Sequence, residues 1–148
     1  FYEEHQNNWP KVLFLEKDFG LRMKIDGDGI TIKGKIDRID EMPDGKLKIV
    51  DYKTGKPKEK LEFNEKAQLL IYQQAVKELF RQEVGALAYR YLNDNSEIEF
   101  LGVEKDFARL DEKISETIRA IRRGEFPATP GQQCKFCDYS GICEFRKP

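Results

Sequence analysis

GKIDRID at residues 34–40 and VDYKTGK at residues 50–56 lie on either side of a Pro43-Asp44-Gly45 turn. Apolar and polar residues alternate from Ile30 to Asp40 and again from Lys46 to Lys53, a period of two that predicts strands. Pro and Gly supply the turn dihedrals, so the two runs are expected to form an antiparallel hairpin. Asp51 and Lys53 are two apart on one strand and therefore share a face. Asp37 sits on the partner strand, where pairing about the turn can bring it beside Asp51, although the register is open at this stage. Ile36, Ile39, Ile49 and Val50 surround these charges and place the carboxylates at the edge of an apolar core. Two carboxylates close together in such a place repel unless a cation neutralises them. A hard divalent cation does this well. Lys53 would then orient a metal-bound water or neutralise charge developing on a phosphoryl oxygen. Taken alone, DYK is a common strand ending whose Asp–Lys pair is ordinarily solvated; the neighbouring motifs shift that balance.

Working outward, VLFLEKDF at 12–19 reads as one strand carrying Glu16. LRMKI at 21–25 reads as another, followed by a turn at Asp26-Gly27-Asp28-Gly29. Residues 64–83 carry apolar side chains every three to four positions and are expected to be a helix capped by Asn64. Gln68 and Tyr72 fall at i and i+4 on one face of it. Residues 86–92 and 97–103 predict a second hairpin about Asn93-Asp94-Asn95-Ser96. Residues 106–123 predict another amphipathic helix, closed by Gly124. Residues 1–9 resemble a helix end, stopped by Trp9-Pro10. The order predicts an α/β fold, a mixed β-sheet flanked by α-helices, with no Gly-rich phosphate loop.

Composition agrees with one domain over residues 1–148. The chain has 39% apolar residues, among them 10 Phe and 6 Tyr, enough for a core, and 36% charged residues. Its 26 Lys and Arg nearly balance 27 Asp and Glu, so any nucleic-acid contact must come from local charge. No apolar run approaches the roughly 20 residues of a membrane span, so no membrane association is expected. No basic and apolar leader opens the chain. The first residue is Phe1 and not Met, which reads as a piece cut from the N-terminal side of a longer polypeptide. Three cysteines, all in the last fifteen residues, point to a reducing, cytoplasmic setting and a metal or cluster site.

Together, GKIDRID, VDYKTG and QLLIY resemble the RecB-type branch of the PD-(D/E)xK nucleases, closest to the nuclease domains of AddB-like helicase–nuclease subunits and their stand-alone exonuclease relatives. The likeness runs from Glu16 to Cys143. It implies a restriction-endonuclease-like core with a Cys-bearing C-terminal loop, and a metal-dependent DNA exonuclease acting in end processing, repair or recombination. It also implies DNA ends as substrate and a helicase subunit or domain as partner. By resemblance, Asp37 and Asp51 are ligands for Mg²⁺ or Mn²⁺, with the Tyr52 carbonyl as an extra ligand and Glu16 as a weaker one. Lys53 is the catalytic lysine, and Gln68 and Tyr72 form the family's signature pair beside the site. Arg38 and Asp40 belong to the motif as structural or DNA-side residues. Relatives carry a metal-binding His upstream; His5 is the one histidine here, and its context fits a solvated helix end better. The alternative reading is a non-catalytic DNA-binding or scaffolding module with the same fold.

CKFCDYSGIC spaces Cys134, Cys137 and Cys143 as C-x₂-C-x₅-C, three corners of a [4Fe–4S] cluster or of a zinc site. In relatives the fourth cysteine of the cluster lies far upstream, so here it is expected to precede Phe1 in the parent polypeptide. Lys56, Lys58 and Lys60 follow Lys53 closely, and with Arg38 they are candidates for contacts to DNA phosphates. Arg119, Arg122 and Arg123 form a second basic run. Both runs are interspersed with Glu, as ordinary solvated surface is. Tyr89 and Tyr91 alternate with Arg90 on a strand, where core packing of one face is the simpler expectation than a stacking platform.

Overall fold

The structure is a computed structural model that describes residues 10–146; His5 and the expected helix end before Trp9 lie outside them. The chain forms two compact units, one up to Glu112 and one from Lys113 onward.

The first unit is built on a five-stranded sheet in the order β1-β2-β3-β4-β5. The strands are β1 (Lys11–Ile25), β2 (Asp28–Glu41), β3 (Leu47–Lys53), β4 (Val84–Tyr91) and β5 (Glu97–Phe100). Helix α1 (Phe63–Phe80) carries the chain from β3 to β4, the parallel pair. The other neighbouring pairs are antiparallel, so the sheet is mixed as expected. Helix α2 (Glu104–Arg122) starts in this unit and runs into the next.

Register explains where the core lies. Ile39 pairs with Ile49, which pairs with Leu87, so these three side chains share one face of the sheet. Each is fully buried. That face is the one α1 covers, and α1 buries Leu69, Leu70, Tyr72, Ala75 and Val76. Burying side chains of this size contributes roughly 1.5–3 kcal/mol each. The N-terminal part of α2 packs on α1: Leu110 is buried, and the Gln73 amide bridges both backbone groups of Gly102.

Three expectations change. The two first strands are one: Gly20 does not break β1 but pairs with Lys33 in the ladder, and the irregularity falls instead between Val12 and Phe14. Helix α1 begins one residue early, and its cap is Glu62 rather than Asn64. The reason is Glu65: its carboxylate reaches back 2.8 Å to the Glu62 N–H, while its own N–H donates to the Glu62 carbonyl at 3.0 Å. The same helix ends at Phe80, three residues early, where Arg81 turns left-handed with φ 53°. Gly124, with φ 69°, closes α2 as expected.

In the second unit the tail beyond α2 holds one short 3₁₀ turn, Gln132–Phe136, and is otherwise irregular.

Candidate active site

The hairpin register settles the first question left by the sequence. Arg38 pairs with Val50, so one step further along Asp37 comes opposite Asp51. The Asp37 Oδ2 accepts the Tyr52 N–H at 2.9 Å, which fixes that carboxylate across the end of β3. Asp51 is only 3% exposed. Burial, and then the charge of Asp37, push its pKa up, while the Lys53 ammonium opposes them.

Gln68 organises the rest. Asp51 and Gln68 face each other because β3 presents its odd positions to α1. The Gln68 Nε2 donates to Asp51 Oδ1 at 2.9 Å and to the Tyr72 hydroxyl at 2.8 Å. Its Oε1 accepts from the Lys53 ammonium at 2.9 Å. Lys53 also stands 2.6 Å from Asp51 Oδ2, an ion pair that lacks hydrogen-bond direction. Among the described residues that buried oxygen has no hydrogen-bond partner. Tyr72 is held on its other side by Phe19, edge to face at 5.4 Å, and burial raises its phenol pKa. The five residues Asp37, Asp51, Lys53, Gln68 and Tyr72 thus converge at one end of the β2–β3 pair.

The structure adds a residue that the sequence did not assign to the site. Tyr89 lies beside Asp51 in the parallel β3–β4 register, with its ring 4.6 Å from the Lys53 ammonium. Its hydroxyl donates to the Glu65 carbonyl at 2.6 Å, tying β4 to the start of α1. Burial and the charge of Asp51 raise its phenol pKa far above the usual range. Period-two alternation signals its burial but not its neighbour, since parallel register leaves no mark in sequence.

The chain resembles known proteins in sequence and in fold. A model of the PD-(D/E)XK nuclease superfamily matches residues 1–144. The chain belongs to the PD-(D/E)XK nuclease superfamily. Over 45 residues, 30% of the chain, it is 51% identical to an ATP-dependent helicase/deoxyribonuclease subunit found in two Streptococcus pyogenes serotype M12 strains, MGAS2096 and MGAS9429. That stretch is 4% of those relatives' length, and it supports the RecB-type, AddB-like branch. A solved structure titled "Crystal structure of SSO0001" superposes with a TM-score of 0.59 at 23% identity, covering 91% of this chain and 61% of that one. This last likeness bears on the fold alone.

Superfamily members use divalent metal ions, and the donor set here fits one. Two carboxylates meet at the site, one of them with a buried oxygen facing only an ammonium, and hard oxygen donors are what Mg²⁺ and Mn²⁺ take. Among the described residues no third His, Cys, Asp or Glu joins them.

Glu16 lies between Leu15 and Lys17, which pair with Arg38 and Ile36, so it comes opposite Asp37 in the ladder. Its φ is 50°, and its exposed carboxylate pairs with Lys35 at 3.6 Å. Arg38 alternates with Ile39 and so points to the opposite sheet face, where its Nε donates to Asp40 Oδ1 at 2.7 Å and its Nη1 to the Tyr52 hydroxyl at 3.1 Å. Arg38 and Asp40 are both buried. Arg38 is thus held by contacts within the fold. Tyr89, Arg90 and Tyr91 are buried as well, as core packing requires.

Of the lysines after the site, Lys56 and Lys58 join Lys53 in lining a cleft of about 310 Å³; Lys60 is exposed outside it. Lys58 pairs with Glu65. In the second unit Arg123 is held by Glu125 through two hydrogen bonds of 2.6 and 2.8 Å. Among the described residues the tail cysteines are not gathered into a group of metal ligands. Cys137 and Cys143 are exposed, Cys134 Sγ accepts the Gly131 N–H at 3.4 Å, and the described residues hold no group of three metal ligands.

Proposed function

We propose that this protein is a divalent-metal-dependent deoxyribonuclease that hydrolyses phosphodiesters at DNA ends, in the manner of a RecB/AddB-type exonuclease. The observation that carries this reading is the Gln68 amide, which holds Asp51, Lys53 and Tyr72 in one constellation opposite Asp37. A structural Asp–Lys pair on a wet strand would need no such half-buried hub.

Asp37, Asp51 and the Tyr52 carbonyl would hold Mg²⁺ or Mn²⁺, which when bound lowers the pKa of water and neutralises phosphoryl oxygens. The chain's own groups do the rest. The Lys53 ammonium, fixed by Gln68 and the Tyr89 ring, is placed to hydrogen-bond an attacking water or to stabilise negative charge on the phosphorus oxygens. Because the donors are pre-positioned, little reorganisation is needed as charge develops. A role in DNA repair or recombination, and a helicase partner, extend the reading from the helicase/deoxyribonuclease relatives. The tail cysteines enter no step.

The test is cleavage of end-labelled single-stranded and duplex DNA in Mn²⁺. Asp51→Asn is expected to abolish cleavage, and Lys53→Ala to slow it by on the order of 10²-fold or more, the scale of losing one aimed donor. Calorimetric titration with Mn²⁺ should show binding that Asp37→Asn removes. Cleavage unchanged in Asp51→Asn refutes the proposal, and no Mn²⁺ binding at millimolar metal favours a DNA-binding module that does not cut.

A further inference from the structure

We propose that the cleft beside Lys53 is a subsite for one phosphate-bearing nucleotide of the bound strand, a reading that rests on the nuclease function proposed above. The cleft is walled by the loop after β3, through Gly55, Lys56 and Lys58, and by the first turn of α1, through Asn64 and Glu65; Tyr89 and Tyr91 also line it. Lys53 stands on the partition. Its ammonium reaches Asp51 on the side of the carboxylates and lines the cleft on the other. A phosphodiester placed at the carboxylates would therefore send its neighbouring nucleotide directly into this space.

Charge selects the ligand class. Three lysines line the cleft against one carboxylate, and that carboxylate is already engaged: Glu65 pairs with Lys58 and accepts the Glu62 N–H. The N-terminal turn of α1 adds partial positive charge at the same wall. This favours an anion. Size and lining narrow it further. About 310 Å³ is at the small end of ligand pockets, roughly 300–1,000 Å³, which suits a single nucleotide unit. Tyr89 is buried and its hydroxyl is spent on the Glu65 carbonyl, so it offers a base no hydrogen bond. Recognition at this subsite is consequently led by phosphate and indifferent to base.

Binding is read by amide shifts in ¹H–¹⁵N spectra of the metal-free protein, titrated separately with thymidine 5′-monophosphate, thymidine and inorganic phosphate. The monophosphate is expected to shift Gly55 and Asn64 at millimolar concentration, more tightly than inorganic phosphate, while thymidine alone shifts neither. Lys56→Gln should weaken the monophosphate about fivefold, the effect of one unit charge about 4 Å away in water. Lys60→Gln, in the same loop but outside the cleft, should leave its affinity unchanged. Shifts confined to other residues, equal affinity for phosphate and monophosphate, equal shifts with thymidine, or no effect of Lys56→Gln would each overturn the subsite. The readout needs neither metal nor turnover. A protein that binds the monophosphate this way yet never cuts DNA refutes the nuclease reading alone, and one that cuts without such binding refutes the subsite alone.

Discussion

Replacing Gln68 by Leu tests the central constellation most directly, because the amide touches three other members of it. The substitution removes the bonds to Asp51 Oδ1, the Lys53 ammonium and the Tyr72 hydroxyl. These losses are unequal. The Lys53 side chain is 37% exposed, so water replaces its partner at little cost. Asp51 Oδ1 belongs to a buried carboxylate, and leaving it without a donor costs about 1–3 kcal/mol or somewhat more for its charge. The Tyr72 bond, between neutral groups, adds roughly 0.5–1.5 kcal/mol. Leucine recovers about 1 kcal/mol through its apolar surface. The net expectation is a loss of about 2 kcal/mol in urea unfolding of the metal-free protein, with an unchanged m-value. The sharper readout is the order of effects on adding Mn²⁺. Metal supplies Asp51 with a new partner, so part of the lost stability should return in the variant, beyond the stabilisation wild type gains. If Gln68→Leu unfolds within about 0.5 kcal/mol of wild type, the range of ordinary surface changes, the amide is not the hub argued for here.

Four other outcomes follow from the same geometry. Gly34→Ala would put a Cβ 2.7 Å from the Phe19 ring, which packs on Tyr72; a loss of about 1–3 kcal/mol is expected in thermal unfolding, and tolerance without loss would mean that ring is free to move. Asp40→Ala takes the Asp40 carboxylate from the buried Arg38 guanidinium, which should cost about 3 kcal/mol in urea unfolding. The same variant should leave Mn²⁺ affinity in calorimetry unchanged, because Asp40 lies on the sheet face away from Asp51. Lys53→Met should raise Mn²⁺ affinity in calorimetry, since an ammonium 2.6 Å from Asp51 Oδ2 competes for that oxygen, and yet lower DNA cleavage. The Glu125 carboxyl, held below the usual carboxylate range by Arg123, contributes stability that is present above its unfolded pKa and lost as pH falls through its folded one; an NMR titration should show its pKa rise toward the ordinary value in Arg123→Gln.

Much of this is legible in the sequence. The Pro43-Asp44-Gly45 turn and the flanking alternation define the hairpin, and the i, i+4 spacing of Gln68 and Tyr72 places both on one helix face. What stays hidden has physical causes. Glu16 looks like an ordinary strand residue, but a left-handed backbone angle there cannot be read from a glutamate. Arg38 lies next to Asp37 in sequence, yet adjacent strand residues face opposite sides, so proximity along the chain misdirects it. The Glu65 carboxylate on the Glu62 N–H fixes the start of the helix ahead of Asn64, a contact that spacing alone does not announce. Tyr89 meets Lys53 through a parallel pairing formed across the whole of α1, and no local signal sets that register.

The Gln68 amide can serve this site in only one orientation. Its NH₂ faces two oxygen acceptors and its carbonyl faces an ammonium. Turned over, the carbonyl would oppose the Asp51 carboxylate and the NH₂ would oppose the Lys53 ammonium, so both contacts would become repulsive. The amide is thus locked one way round by the charges it serves. A glutamate there would set a third carboxylate beside Asp51 and Asp37, and an asparagine would be a methylene short of β3. Tyr72, one turn along α1, accepts from the same NH₂ and is itself braced by Phe19, which sits over the bare backbone of Gly34. The chain of contacts runs from the β1–β2 ladder through Tyr72 and Gln68 to Asp51 and Lys53. The long hairpin therefore does more than deliver Asp37: it also fixes the helix that holds the other half of the site.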